Sequence, residues 1–448
     1  MLNFIWLGLV ISAILLAGFN GTTDALTEAA FSSAKKAVMD IALPLVGIMA
    51  LWLGIMRLAE KSGCVALIAK GLRPLLKRLF PDVPDDHPAM GAIVMNMAAN
   101  MLGLGNAATA LGLRAMTHLE SLNPRPGTAT NAMCAFLAIN TSSIQIIPAT
   151  AVGIMAAANS REPTAIIGTA LMATAGAFVV AITSVKFLEK LPLFHLPPPP
   201  ETPPAPARNE PDPTAQKVAP PVSSEPGVPG WIAIATILAL FGWWFFRDLL
   251  PPSAPPAAGP TSPATPFHPT GFAAVVGSIS KLAIPFFLAF FPLYAAAKKV
   301  RVYEEFVEGA KEGFNIGVKI IPYLVAILVA VGMFRAAGGI DLMGKALGPV
   351  LSAIGFPTDL LPLAFVRPLS GSGATGLFAD LVKTFGPDSM LARMGGTIVG
   401  STETTFYVLA VYFGSVGIRR TRHAVAAGLA ADATATILSV IVCRILFA

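Results

Sequence analysis

The sequence predicts an all-α polytopic membrane protein built from two related helical halves. Three observations point there: apolar stretches of spanning length, stretches of similar length interrupted by polar residues, and a weak repeat across the chain. Of 448 residues, 54% are hydrophobic and 12% charged, and the mean hydropathy is +0.69. That leaves too little polar surface to cover a water-soluble body of this size, so lipid must be the solvent around it.

A helix rises 1.5 Å per residue, so about 20 apolar residues cross the hydrocarbon region. Residues 2–19 form the first such stretch. It has no basic n-region and ends in Ala-Gly-Phe, a poor processing site, so an uncleaved helix is expected rather than a secretory signal. Residues 41–56, 165–185, 230–246, 272–296, 318–334 and 424–445 are further uninterrupted candidates. Residues 89–116, 130–157, 360–381 and 394–416 carry polar residues, Gly and Pro inside them and are expected to be broken or re-entrant helices. Together these make roughly ten to twelve crossings.

The strongest internal boundary is residues 196–229, LPPPPETPPAPARNEPDPTAQKVAPPVSSEPGVP. Proline removes backbone donors and restricts its neighbours, so this run is a semi-rigid, partly extended linker outside the bilayer. A second Pro-rich run, 251–269, separates the apolar stretch 230–246 from 272–296. The expected division is a membrane domain at 1–195, a linker at 196–229, an additional transmembrane helix at 230–247, a Pro-rich loop at 248–271 and a second membrane domain at 272–448. Lys186 and Lys190 before the helix at 230–246, with Lys298 and Arg301 after the next one, place the first linker in the cytoplasm and the second run outside.

The formal charge of +6 comes with basic residues between apolar stretches, as in Lys70, Arg73, Lys77 and Arg78, or Arg419, Arg420 and Arg422. That distribution suits anionic headgroups rather than nucleic acid. Cys64, Cys134 and Cys443 are dispersed, without paired metal-ligand spacing, and are expected to be structural thiols.

The repeat lies on either side of the linker. Residues 34–63, AKKAVMDIALPLVGIMALWLGIMRLAEKSG, can be set against 310–339, AKEGFNIGVKIIPYLVAILVAVGMFRAAGG. Residues 102–109, LGLGNAAT, match 369–375, LSGSGAT, and 140–153, NTSSIQIIPATAVG, match 400–414, GSTETTFYVLAVYFG. The shared order, at offsets of about 260 to 276 residues, is the signature of two related halves, an organisation that lets a site at their interface face two sides in turn. A fusion of two related subunits that merely assemble gives the same pattern.

With RPLSGSGATGLFAD at 367–380, GSTETTFYVLAVYFG at 400–414 and their first-half partners, the chain closely resembles spore maturation proteins A and B joined end to end. Residues 1–195 resemble the A type and 272–448 the B type. The broader group carries the nucleoside-recognition, or Gate, domain. The resemblance implies a multi-pass protein of the bacterial inner membrane with two Gate-like halves, related distantly to nucleoside transporters and to the permease part of ferrous-iron transporters. It names no substrate. The helix at 230–246 departs from a simple A-plus-B junction and can serve to orient the second half.

The best candidate constellation lies in the broken stretches of the second half. Arg367-Pro368 followed by Ser370-Gly371-Ser372-Gly373 interrupts the helical hydrogen-bond ladder, and a helix restarting there offers N–H groups to an anionic or carbonyl-bearing solute. Ser372 and Thr375 add hydroxyls. Small residues also permit close helix packing, which is the competing reading. Glu403, beside Thr404, is costly as an ion in hydrocarbon and calls for a pathway or a partner such as Arg367. The first half offers amides and hydroxyls instead: Asn96 and Asn100, four residues apart on one helix face, then Asn106, and Ser142 and Gln145 within NTSSIQ. Interhelical hydrogen bonding is the alternative for these. No carboxylate aligns with Glu403 in the first half, so the halves are expected to contribute unequally. Asp432 in the last apolar stretch is a pathway or supporting group.

His87, His118 and His423 lack an evident metal partner, no nucleophile–base triad is legible, and the stretch 369–375 lacks the Lys-Ser/Thr ending of a phosphate loop. No enzyme activity and no cofactor are expected, and a metal is left open. The leading expectation is a transporter or solute-coupled membrane protein, with Arg367 and Ser372 orienting the solute and Glu403 coupling to a cation or proton. The alternative is a non-transporting assembly or scaffold factor in envelope or spore maturation. Expected partners are membrane lipid and an unidentified small solute or ion, with a second copy of the chain and a protein held by the linker left open.

Overall fold

Where water is absent, backbone N–H and C=O groups must pair within the chain, and helices do so segment by segment. The computed structural model describes residues 2–194, 225–250, 272–342, 345, 351 and 355–447. Most of the Pro-rich stretches 196–229 and 251–269 lies outside the described residues. Within them the chain is helical, with one isolated backbone bridge between Thr128 and Arg420 and no strand.

The first half opens with α1 (Leu2–Asn20) and with α2 (Thr23–Lys36), which runs into α3 (Leu43–Lys61) through a π-helical turn, Ala37–Ala42. Pro44 follows that turn, and the wider turn makes room for a ring that lacks an N–H. The short α4 (Cys64–Leu79) follows Gly63, whose φ is +83°. Next come two interrupted pairs, α5 (Pro88–Met101) with α6 (Gly105–Ser121), and α7 (Asn131–Thr141) with α8 (Ala149–Ala157), and then the unbroken α9 (Ile166–Leu188).

After the additional helix α10 (Val228–Leu249), the second half repeats the order. Its long helices are α11 (Phe272–Ala297) and α12 (Val302–Ala336). Its interrupted pairs are α13 (Leu361–Val366) with α14 (Gly371–Phe385), and α15 (Met390–Ser401) with α16 (Thr405–Ser415). It closes on α17 (Ala424–Phe447).

Six helices among the described residues are long and apolar enough to span a bilayer alone. The four stretches expected to be broken account for much of the remaining spanning material, because each is two shorter helices separated by a break. The breaks fall at 102–104, 142–148, 367–370 and 402–404.

The halves run in opposite senses. Along α12, Phe306, Gly309, Gly313 and Gly317 meet α3 at Gly54, Leu53, Met49 and Val46 in turn, so the two repeat-related helices are antiparallel. The last helices of the halves are antiparallel too. Thr169 near the start of α9 reaches Cys443 near the end of α17 through the Thr397 hydroxyl, whereas Phe194, just past α9, stacks edge-on with His423 before α17. The halves also interlock reciprocally: α7 packs on α17 as α15 packs on α9, and α6 on α16 as α14 on α8. The additional helix α10 docks on α11 through Phe241 and Phe286, and its Asp248 accepts hydrogen bonds from Ser278 at 2.7 Å and Lys281 at 2.9 Å.

Candidate functional site

The helix breaks meet one another in the protein interior. A break frees backbone groups, and at membrane depth each must find a partner inside the protein. Ile146 N–H donates to Met101 C=O at 3.0 Å, joining the two breaks of the first half, and Phe406 N–H donates to Pro368 C=O at 3.0 Å, joining those of the second. Residues 146 and 406 correspond in the repeat, as do the approaches to 102 and 369, so the same bond is made twice. The halves are then tied together, because Glu403 N–H donates to Thr141 C=O at 2.7 Å.

Arg367 ends α13 and is buried, 6% exposed. Its Nη2 donates to Val399 C=O at 3.0 Å and its Nη1 to Thr404 Oγ1 at 3.4 Å, while Nε is buried without a partner. The pairing of Arg367 with Glu403 is not made at ion-pair distance among the described residues. The Glu403 backbone is anchored to the first half, and its Oε1 accepts from Gln145 Nε2 at 2.8 Å. Glu403 and Asp432 act on Arg367 through the electrostatic field instead. Asp432 on α17 is 4% exposed; its Oδ2 accepts from the Thr405 hydroxyl at 2.5 Å, and its Oδ1 is buried without a partner.

Several sequence candidates serve their own helices. Ser370 caps α14, its Oγ accepting from Gly373 N–H at 3.0 Å, so one N–H expected to face an anion is already used. Ser372 Oγ lies 3.4 Å from Ser370 Oγ. Thr375 donates back to Gly371 C=O at 2.9 Å and Ser142 to Ala138 C=O at 2.9 Å, bonds that satisfy a hydroxyl within its own helix.

In the first half, Asn96 Nδ2 donates to Ala108 C=O at 2.7 Å and lies 3.5 Å from Tyr412 Oη; Asn100 Nδ2 donates to Asn140 Oδ1 at 2.9 Å. The Tyr412 hydroxyl also reaches Asn140 Oδ1 at 3.5 Å, so the two amides expected on one face do converge, on a pair of residues that sequence reasoning missed. Asn140 opens the NTSSIQ stretch and was legible there; Tyr412 sits in an apolar helix with nothing to mark it. The Asn106 side chain lies outside the described residues. Among the described residues, no group of three or more His, Cys, Asp or Glu side chains is placed to hold a metal.

Buried polar atoms are normally paired. Here Thr141 Oγ1, Ser143 Oγ, Asn96 Oδ1, Arg367 Nε and Asp432 Oδ1 are not, and all lie at the breaks or on the helices around them. A small apolar cavity beside Met101 and Ile146, lined also by Trp52, Phe287 and Phe291, flanks the first-half breaks.

The Gate family, described as nucleoside recognition, matches residues 42–158 and 317–419, one stretch in each half. The chain is similar to spore maturation protein B of Bacillus subtilis (strain 168), 46% identical over 173 residues, which is 39% of this chain and 97% of that protein. It is also similar to spore maturation protein A of the same organism, 43% identical over 174 residues, 39% of this chain and 88% of that protein. No solved structure matches. With most of two such relatives covered and Gate matches in both halves, the chain belongs to the spore maturation protein A and B family of Gate-domain membrane proteins.

Proposed function

We propose that the protein carries a small polar solute across the membrane, with the meeting point of the four helix breaks as the binding region. The observation behind this reading is the set of buried polar atoms without partners, Arg367 Nε among them, at the helix breaks and on the helices around them, to which each half contributes. Halves of opposite sense around a central site can expose it to either side alternately by rocking against each other. Arg367 and Ser372 orient the solute, and the carboxylate pair near Arg367, Glu403 with Asp432, couples passage to a cation or proton. The inner membrane of a bacterium is the setting this reading requires. The description of the matching family makes nucleosides the first solutes to test.

The experiment starts from compounds that co-purify with the gently isolated protein, and measures their flux, with that of nucleosides, in liposomes. Wild-type flux that falls in Glu403→Gln supports the reading; absence of flux for every enriched compound under every ion gradient sinks it. The names of the two relatives favour a second reading, a scaffold for spore or envelope maturation. Deleting residues 197–229 separates the two, since lost partner binding with flux intact makes the linker a docking element.

A further inference from the structure

We propose that Asp432 is the group in the buried cluster that takes up and releases a proton, and that this proton is the coupling ion of the transport reading above, on which the coupling role rests. Asp432 is the one carboxylate among the buried side chains of the described residues. The cluster holds one guanidinium, Arg367, and two acids, Glu403 and Asp432. Arginine stays charged in proteins. One acid balances it, and the other is left as an extra buried charge, costly in a medium that cannot solvate it. One bound proton closes that imbalance.

The two acids are not equivalent hosts. Glu403 is only partly buried and receives an amide donor from Gln145 at 2.8 Å, an arrangement suited to a carboxylate. Asp432 faces hydroxyls instead, those of Thr405 and Thr402. Thr405 Oγ1 stands 2.5 Å from Oδ2 and can donate to the ionised acid or accept from the protonated one, so the pair accommodates both states. Oδ1 has no partner. A second unpartnered oxygen, Thr141 Oγ1, faces the same side of α17 one turn earlier, within 3.5 Å of a methyl built on Gly428. A proton needs no further ligands there, whereas the hard metal ions call for about six oxygens.

The charges acting on Asp432 are Arg367, at the end of α13, and Glu403, between α15 and α16. The other elements packed on α17 keep their titratable groups elsewhere. Lys186 lies in the last turn of α9, Arg393 of α15 is directed to Glu162, Cys134 of α7 to the Thr421 carbonyl, Tyr412 of α16 to Asn96 and Asn140, and Tyr407 of α16 is exposed. Thr141 belongs to the first half and Asp432 to the second, so a change of proton state is felt at the contact between halves.

The test reads the protein without any solute. Infrared difference spectra of the full chain in lipid nanodiscs are taken across a pH titration, seeking the C=O stretch of a protonated carboxyl group. A titrating band in wild type, moved to lower pH in Glu403→Gln, where Asp432 alone balances Arg367, lost in Asp432→Asn and displaced in frequency in Asp432→Glu, supports the assignment. Where Asp432→Asn does not fold, wild type carrying carbon-13 at the aspartate carboxyl decides: the band must move with that label. A band that survives in Asp432→Asn, titrates at an unchanged pH in Glu403→Gln, moves with glutamate label or is missing from wild type overturns the proposal. So does its removal by sodium chloride but not choline chloride at constant pH, which would make the ligand a metal ion. Because flux is not measured, the proton site and the transport reading fail separately.

Discussion

Replacing Gly313 by Ala puts a methyl group where α12 meets the backbone of α3. The new Cβ would lie 2.5 Å from Met49 O and 2.7 Å from Ala50 Cα. Ordinary contacts between such atoms are about 3.5–4.0 Å, so the helices must part by roughly 1 Å, and backbone cannot swing aside as a side chain can. Overpacking of this kind costs about 1–3 kcal/mol. Alanine also favours a helix over glycine by about 1 kcal/mol, which would mask part of the loss. Gly47→Ala on α3 supplies the reference, because a Cβ there meets nothing within 4 Å while gaining the same helical preference. The difference between the two variants therefore isolates the steric cost. Equilibrium unfolding in mixed micelles should place Gly313→Ala below Gly47→Ala by ~1–3 kcal/mol, a ~5- to ~150-fold change in the folded-to-unfolded ratio. Equal stabilities would mean that α3 and α12 do not approach as described, and the antiparallel relation of the halves would lose its main support.

Two further outcomes follow from the ends of the bundle. Arg422→Lys should destabilise the protein by about 2 kcal/mol in thermal unfolding, because the guanidinium donates to Phe194 C=O from two nitrogens and to Ala129 C=O and Asn131 Oδ1 from a third, which an ammonium cannot reproduce; a melt within error of wild type would refute the fork. Asp388, in the loop after α14, is held below the usual carboxylate range: partial burial opposes this, but donors from Ser160 and Arg161 and the charges of Arg393 and Arg161 prevail. Its contribution is therefore complete above the unfolded value of about 4 and is lost as pH falls through the lower folded value. Hydrogen exchange at the Arg161 amide, corrected for intrinsic rate, should stay slow at neutral and mildly acidic pH and accelerate only below ~4; acceleration beginning near pH 6 would exclude Asp388 as the cause.

The interruptions were legible because Gly, Pro and hydroxyl residues cannot continue an apolar helix unnoticed: Gly103 takes a φ of +74°, Pro368 lacks an N–H, and Ser370 begins a new helix. Their partners were harder to read. That Arg367 would donate to Val399 C=O rather than pair with Glu403 depends on how two broken pairs lie against each other, and no local pattern encodes a carbonyl 32 residues away. The antiparallel relation was hidden for a related reason. A repeat in sequence records that two segments are alike, while the direction in which they pack is fixed only when Gly309, Gly313 and Gly317 let α12 settle on α3.

Opposite senses have a consequence for the outer seams. The connection between α6 and α7 meets the one between α16 and α17, and the equivalent pair, α14 to α15 with α8 to α9, meets at the opposite end of the bundle. The first seam is made from backbone: Ala129 N–H donates to Arg420 C=O at 3.0 Å, Arg419 and Arg420 N–H both donate to Gly127 C=O, and Arg422 closes over it. The second rests on one carboxylate, Asp388, which accepts from the Ser160 hydroxyl at 2.6 Å and from Arg161 N–H, with Arg393 and Glu162 3.7 Å apart beside it. Backbone bonds survive any change of side-chain charge, whereas a carboxylate's grip ends when it is protonated. Two seams that the repeat makes equivalent in position are thus unequal in chemistry, and opening the Asp388 side requires fewer bonds to break.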